Sequence, residues 1–236
     1  MALDDAFWPA LWKLAMATGT RPELLLCVWF AESDLEPTAE NSAGCIGLNQ
    51  TCPKPNGPGF PSTPAAYKGS PASAQVAWIA RQVESAVKLN GGPFQSAARY
   101  WQANWMPATL STAKAPDAVI AGKDGPYAWA YRDNAGLDAD KDGRITLQDL
   151  GDRLELLVLS RGAPLTRAIR LAYANRPAAA PWSEPELVIH EPAPATPSGA
   201  PPSAGPIASG GIGGGGAALL TILFALALAV AHGGRA

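Results

Sequence analysis

A single glutamate, Glu32, lies on an otherwise apolar helical stripe and is the first residue whose surroundings suggest chemistry. Residues three, four and seven apart share one face of a helix, so Leu25, Val28 and Trp29 lie on the face of Glu32. Apolar surroundings disfavour the ionised carboxylate and raise its pKa. A carboxyl group that stays protonated near neutral pH can act as a general acid. The sequence therefore predicts an acid at Glu32; the alternative is a helix-terminal glutamate turned towards solvent.

A glycine-rich turn follows this helix and extends the pattern. After Glu32-Ser33, residues 41–50 read Asn-Ser-Ala-Gly-Cys-Ile-Gly-Leu-Asn-Gln. Together they resemble the soluble lytic transglycosylase domain, a relative of goose-type lysozyme. The pattern of that family is Glu-Ser followed by Ser-x-x-Gly-Ala-x-Gly-Leu-Met-Gln. A weaker counterpart of the family's Tyr-Asn-Ala-Gly segment lies in residues 97–104, so the resemblance covers about residues 3–105.

The resemblance implies a mainly α, lysozyme-like fold that cleaves peptidoglycan. Glu32 would be the single general acid and base at the bond between N-acetylmuramic acid and N-acetylglucosamine, and the product would be a 1,6-anhydro sugar. Ordinary glycosidases use two carboxyl groups, and no second candidate stands out here. Hydrolysis by water, as in goose-type lysozyme, is the close alternative. The residues that the resemblance assigns to substrate binding are Ser33, Ser42, Gly47, Asn49, Gln50, Tyr100, Trp101 and Asn104.

The chain departs from the family pattern at two positions in the turn. Cys45 replaces an alanine, and Asn49 replaces a methionine that lines the cleft in the family. The second departure puts the sugar contacts in question, so a glycan-binding protein without catalysis is a further alternative. Cys45 and Cys52 flank the turn and either pair across it or remain free thiols, whereas Cys27 lies in the apolar helix.

A second group of chemistry-bearing residues forms an acidic loop at residues 138–149. Carboxylates occupy its first, third and fifth positions, and a glycine occupies the sixth, so the loop resembles the EF-hand calcium loop. The last position carries an aspartate instead of the usual longer glutamate, which predicts weaker binding. A single loop predicts structural Ca2+; the alternative is an acidic, solvated turn. The expected ligands are Asp138, Asp140, Asp142, the Arg144 backbone carbonyl, Thr146 and Asp149.

Several helices must position these groups, and each has a start signal in the sequence. Asp4 or Asp5 is predicted to cap a first helix that ends at Gly19. A Thr20–Glu23 capping box with Pro22 in the first turn is predicted to start the helix of Glu32. Ser73 is predicted to cap the next helix, which ends at Asn90-Gly91, and the remaining predicted helices begin at Pro93 and Leu147.

Composition limits the partners. The 236 residues carry a net charge of −2, which gives no electrostatic basis for nucleic-acid binding. The chain begins Met-Ala-Leu-Asp-Asp, and this acidic start does not resemble a secretion signal.

The amino-acid composition changes in the C-terminal part of the chain. The predicted organisation is a lysozyme-like domain at 1–125, a calcium-loop extension at 126–176, a disordered Pro/Ala/Gly-rich linker at 177–211 and a transmembrane helix at 212–232. The uncharged stretch from residue 212 to residue 231 is long enough to cross a bilayer, and Arg235 favours a cytoplasmic C-terminus. A buried core helix is the alternative.

These features together predict a wall-cutting enzyme of a bacteriophage virion that opens the wall locally during genome ejection. Its partners would be peptidoglycan strands, a lipid membrane and other virion proteins. The C-terminal helix would anchor it in a virion or host membrane, with the catalytic domain facing the periplasm. A calcium-dependent structural module is the alternative from another class.

Overall fold

The structure, a computed structural model, describes residues 3–52 and 64–186. These residues are mainly helical, as predicted. The α-helices in them are α1 (Phe7–Thr18), α2 (Pro22–Ser33), α3 (Pro64–Lys68), α4 (Ala72–Asn90), α5 (Ala97–Trp105), α6 (Ala128–Asp133), α7 (Leu147–Arg161) and α8 (Ala163–Ala174). Single 3-10 turns lie at Pro107–Thr109 and Ala135–Leu137, and two short strands are β1 (Val119–Gly122) and β2 (Arg144–Thr146).

Helix α1 ends at Gly19, whose left-handed backbone (φ +67°) closes it as predicted. The predicted cap at its start, Asp4 or Asp5, is wrong: the N-cap residue is Ala6, no side chain caps this end, and Asp4 serves a different helix. Its carboxylate accepts a hydrogen bond from the Ser73 backbone N–H (3.0 Å), one of the amides that the first turn of α4 leaves unpaired. The cap predicted at Ser73 is also wrong, since the residue at the N-cap of α4 is Pro71.

Helix α2 is buried on nearly all sides, and helices α1, α5, α7 and α8 pack against it. Pro22 lies in its first turn as predicted, but Thr20 and Glu23 do not form a capping box. Glu23 instead points away from the helix end: its carboxylate pairs with Arg21 and accepts a hydrogen bond from the Tyr173 hydroxyl (2.7 Å) of α8. The buried carboxylate is therefore stabilised by a neighbouring guanidinium and by a hydroxyl from α8, and it does not cap the helix.

Helix α5 begins at Ala97, later than the start predicted at Pro93. Its N-cap is Ser96, whose hydroxyl accepts a hydrogen bond from the Arg99 N–H (3.2 Å). Pro93 packs close to Gly19 instead, at a distance that leaves no room for a side chain on the glycine. Helix α5 packs between α2 and α7, and this placement brings residues 100–104 to the end of α2.

The two strands form a small antiparallel sheet beside the helices. Val119 pairs with Thr146, and Gly122 pairs with Arg144, with an irregularity between Val119 and Ala121. Strand β2 is the second half of the acidic loop, and α7 follows it directly from Leu147, as predicted. Thr146 and Asp149 form a capping box that starts α7.

The chain through Glu184 forms one compact unit, in which α8 packs on α1 and α2. Residues 177–186, the beginning of the predicted linker, have no helix or strand, and Trp182 stacks on Trp12 with ring centroids 6.3 Å apart. None of the helices in the described ranges is long and apolar enough to cross a membrane. The predicted membrane helix at 212–232 and the linker from residue 187 onward lie outside the described residues.

Candidate active site

Glu32 lies in the last turn of α2 with its side chain half-buried. Its Oε1 accepts hydrogen bonds from Trp101 Nε1 (2.8 Å) and from Asn104 Nδ2 (3.0 Å). Both donors come from α5, where residues three apart share one face. The other oxygen, Oε2, accepts no hydrogen bond from any residue in the described part of the chain.

The surroundings of Glu32 favour its neutral form. Burial raises the pKa of Glu32, and the hydrogen bonds from Trp101 and Asn104 lower it by less, so the pKa lies above its ordinary value. Both N–H donors point at Oε1, and a proton on that oxygen would face them. The proton of the neutral acid therefore belongs on Oε2. This arrangement holds a transferable proton on the oxygen that the protein does not occupy.

A chain of hydrogen bonds connects Glu32 with the glycine-rich turn. Trp29 Nε1 donates to the Tyr100 hydroxyl (3.0 Å), which donates to Asn49 Oδ1 (3.1 Å). Asn49 Nδ2 donates to Asn104 Oδ1, and Asn104 donates to Glu32. The structure thus brings together four of the residues expected around the acid: Asn49, Tyr100, Trp101 and Asn104.

Three further residues expected at the site shape the turn. The single O–H of Ser33 lies within hydrogen-bond distance of the carbonyls of Trp29 (2.9 Å) and Leu48 (3.0 Å), which places the end of α2 against the turn. Gly47 is buried with φ +79°, and Gln50 Nε2 donates to its carbonyl (3.1 Å). Ser42 is exposed and makes none of the contacts around Glu32.

A disulfide between Cys45 and Cys52 closes the turn, so the structure resolves the two options that the sequence left open. The third cysteine, Cys27, is a buried free thiol, and burial raises its pKa to about 12. A neutral, buried thiol is inert, so Cys27 has a packing role.

A groove of about 510 Å³ adjoins the acid. Glu32 is not on its wall, but Asn104 is, so the groove reaches the hydrogen-bond partner of the carboxylate. Apolar groups form much of the wall, including the exposed Leu89 and the half-buried Trp105. Trp101 is buried with its N–H on Glu32, so Trp105 is the indole that a sugar ring can reach.

Sequence reasoning did not identify two glutamines of α4 that support the turn. Gln75 is fully buried: its Oε1 accepts from the Leu48 N–H (3.0 Å), and its Nε2 donates to the Pro37 carbonyl (2.8 Å). Gln82 lines the groove, and its Oε1 lies 3.4 Å from Asn49 Nδ2. Their spacing of seven residues places both on one helix face, which was a usable signal.

The acidic loop brings together part of its predicted ligand set. Carboxylate oxygens of Asp138, Asp140 and Asp149 lie within 4.8 Å of one another, and Asp138 and Asp149 are buried. Gly143 adopts φ +89°, the turn expected at the sixth position.

Two of the other predicted ligands, Asp142 and Thr146, have protein partners. Asp142 does not join the three converging carboxylates, because its carboxylate pairs with the Arg144 guanidinium. The Thr146 hydroxyl bonds to Asp149. These two side chains are therefore engaged within the protein.

No protein-family model, curated protein or solved structure matches this chain. The geometry of the Glu32 site and the sequence pattern around it are the features that point to a function.

Proposed function

We propose that this protein is a peptidoglycan lytic transglycosylase in which Glu32 is the general acid and base. The observation that supports this most directly is the carboxyl group of Glu32. One oxygen is held by two N–H donors, and the other is left to carry the proton, close to a groove whose wall includes Asn104.

The groove fits the chemistry of an amino-sugar polymer. Sugar rings present apolar faces that stack on indoles, and Trp105 and Leu89 offer such a surface. The amide of Gln82 lies on the same wall, and its Nε2 donates to no residue in the described ranges, so it is available to an acetamido carbonyl. The glycan strand lies along this wall with a glycosidic oxygen at Glu32.

Bond cleavage begins with transfer of the proton from Glu32 Oε2 to the glycosidic oxygen, and the bond from that oxygen to the anomeric carbon breaks. The carboxylate that forms is stabilised on Oε1 by the N–H groups of Trp101 and Asn104. The 2-acetamido group of the substrate assists at the anomeric carbon. Glu32 then accepts the proton of the muramoyl 6-hydroxyl as that oxygen attacks, which gives the 1,6-anhydro sugar and restores the acid.

A single carboxyl group suffices for this sequence of steps. No second carboxylate from the described residues takes part in the hydrogen-bond network of Glu32. Two-carboxylate hydrolysis requires a partner at a defined separation. Assistance by the substrate's own acetamido and hydroxyl groups is consistent with this arrangement.

The test is digestion of purified peptidoglycan by the full chain, with product masses as the readout. Anhydro-muropeptides are expected from the wild type and from Glu84→Gln, a control that makes the same change at an exposed glutamate of α4. Glu32→Gln is expected to give none. Products heavier by one water would indicate lysozyme-type hydrolysis. Binding without cleavage by a folded protein would refute both reactions and indicate a glycan-binding protein.

The acidic loop is proposed to hold a structural Ca2+. Two buried carboxylates beside a third repel one another, and a divalent cation that prefers oxygen ligands offsets this repulsion. Asp138, Asp140 and Asp149 would hold the ion. Calcium would then link the acidic loop to the first turn of α7, where Asp149 caps the helix. Catalysis does not involve this loop.

The protein is proposed to be anchored in a membrane as part of a phage virion and to act on the wall during genome ejection. This rests on the uncharged sequence at 212–232 and on the enzyme proposed above. Co-flotation of the full chain with phospholipid vesicles is expected, whereas a chain ending at Glu186 should stay at the bottom of the gradient. Equal behaviour of the two chains would contradict the membrane anchor.

A further inference from the structure

The amide donors of Asn49 are both used within the protein. Asn49 is 2% exposed. Its Oδ1 accepts from the Tyr100 hydroxyl (3.1 Å), and its Nδ2 lies within hydrogen-bond distance of Asn104 Oδ1 and 3.4 Å from Gln82 Oε1. A primary amide has two N–H donors, and both have partners here. Asn49 therefore has no donor left for a sugar, although it adjoins the groove.

The hydrogen bonds through Asn49 run in one direction. An indole N–H can only donate, so the Tyr100 oxygen accepts from Trp29, and its own O–H points towards Asn49. This sets Oδ1 of Asn49 towards Tyr100 and Nδ2 towards Asn104. The Oδ1 of Asn104 is thereby fixed as an acceptor, and its Nδ2 is left for Glu32.

We infer that Asn49 is a positioning residue, which acts through Asn104 to keep an N–H on Glu32 Oε1 and the acidic proton on Oε2. This inference rests on the proposed function for its catalytic meaning, and it differs from the sugar contact that the sequence suggested. Asn104 Nδ2 also donates to the backbone carbonyl of Asn49 (3.2 Å), so the same residue orients both ends of the Asn104 amide.

Glu32 is the group whose titration reports on these hydrogen bonds, because the other titratable groups nearby are neutral or paired with each other. Tyr100 is the titratable neighbour from α5, and burial raises its pKa, so its hydroxyl stays neutral. From α7, Arg161 approaches the end of α2, but it pairs with the exposed Asp34 (2.8 Å). Neither charge of that pair is among the causes of the shifted pKa of Glu32.

The test uses two substitutions of the same residue. Asn49→Leu removes the amide without adding charge, so Asn104 Oδ1 loses its donor, and at residue 49 only the backbone carbonyl still holds the Asn104 amide. The pKa of Glu32 is then expected to rise by about half a unit, because a hydrogen bond to the ionised form weakens. Asn49→Asp can no longer donate to Asn104 and adds a negative charge, so a rise of about one unit is expected.

Two measurements follow these variants. Carbon-13 NMR titration gives the pKa of Glu32, with its carboxyl signal assigned by Glu32→Gln. The pH profile of kcat on peptidoglycan should show its alkaline limb moved upwards by the same amount, with KM changed less than about twofold. Asn41→Asp is the matched control: its Oδ1 accepts from the N–H groups of Ala43 and Cys45, which a carboxylate also does.

These measurements distinguish a positioning role of Asn49 from a contact with substrate. An unchanged pKa of Glu32 in Asn49→Leu, with KM raised several-fold, would show that Asn49 contacts substrate and would overturn the inference. If the wild type cleaves nothing but its Glu32 responds to Asn49→Leu, the proposed function fails and the positioning role stands. If the Asn49 variants do not fold, Tyr100→Phe takes their place in the titration. It removes the O–H that orients Asn49, together with the acceptor of the Trp29 N–H. A smaller upward shift of the Glu32 pKa is expected, and no shift would overturn the inference.

Discussion

Replacing Gly47 with alanine tests how the turn is held against α4. The residue has φ +79°, and a Cβ added there would lie 2.3 Å from Gln75 Oε1 and 2.6 Å from Tyr67 Cε1. Gln75 cannot move away freely, because it pairs with the backbone N–H of Leu48 and the carbonyl of Pro37. We therefore expect Gly47→Ala to break contacts that the turn depends on.

The magnitude follows from two terms. A left-handed backbone costs an alanine about 1–2 kcal/mol relative to glycine. Displacing the Gln75 side chain leaves a buried backbone group unpaired, which costs about 1–3 kcal/mol. Gly47→Ala should therefore lower the free energy of unfolding by about 2–5 kcal/mol in total, a large part of the stability of an ordinary domain.

Gly44 offers a matched control in the same turn. Its φ of +75° is nearly the same, but nothing lies within 4 Å of the position of an added Cβ. Gly44→Ala should therefore show the backbone term alone, about 1–2 kcal/mol. Urea denaturation followed by far-UV circular dichroism measures both variants. Equal losses of stability at the two positions would refute the packing term and leave glycine required only for its backbone conformation.

Three further predictions concern the acid, the acidic loop and the disulfide. Because the pKa of folded Glu32 is raised, ionising this carboxyl group costs stability as the pH rises through the folded pKa. Glu32→Gln should therefore unfold at a higher urea concentration than the wild type at pH 7. Below the ordinary glutamate pKa of about 4.3, the two proteins should not differ. Ca2+ at about 100 times its Kd should stabilise the wild type by about 2.7 kcal/mol in a thermal melt; Asp138→Asn should lose this gain, whereas the exposed Asp133→Asn should keep it. Replacing Cys45 and Cys52 with serine should lower the free energy of unfolding by about 2 kcal/mol, because a short loop is no longer closed; the reduced wild type should match the variant in denaturant.

Signals that act within one element were read correctly from the sequence. The end of α1 at Gly19 and the end of α4 before Gly91 were both predicted, and both glycines have left-handed backbones. These helix ends depend only on the local sequence, because a residue with positive φ ends a helix whatever the helix packs against.

Signals that depend on a distant partner were misread. Asp4 and Glu23 have the residue types and spacing of local caps, but one bonds to α4 and the other to α8. A polar side chain takes the best partner that the folded chain offers, and periodicity does not show which partner that is.

The sequence by itself determined that Glu32 ends an apolar helix, that a glycine-rich turn follows it, and that three cysteines and an acidic loop accompany them. Only the tertiary structure decided which atoms face the acid. The donors to Glu32 lie 69 and 72 residues further along the chain, and they reach Oε1 because α5 packs on α2. The direction of each hydrogen bond around Asn49 was also decided there, since an amide has both donors and acceptors and its orientation is set by its neighbours in space.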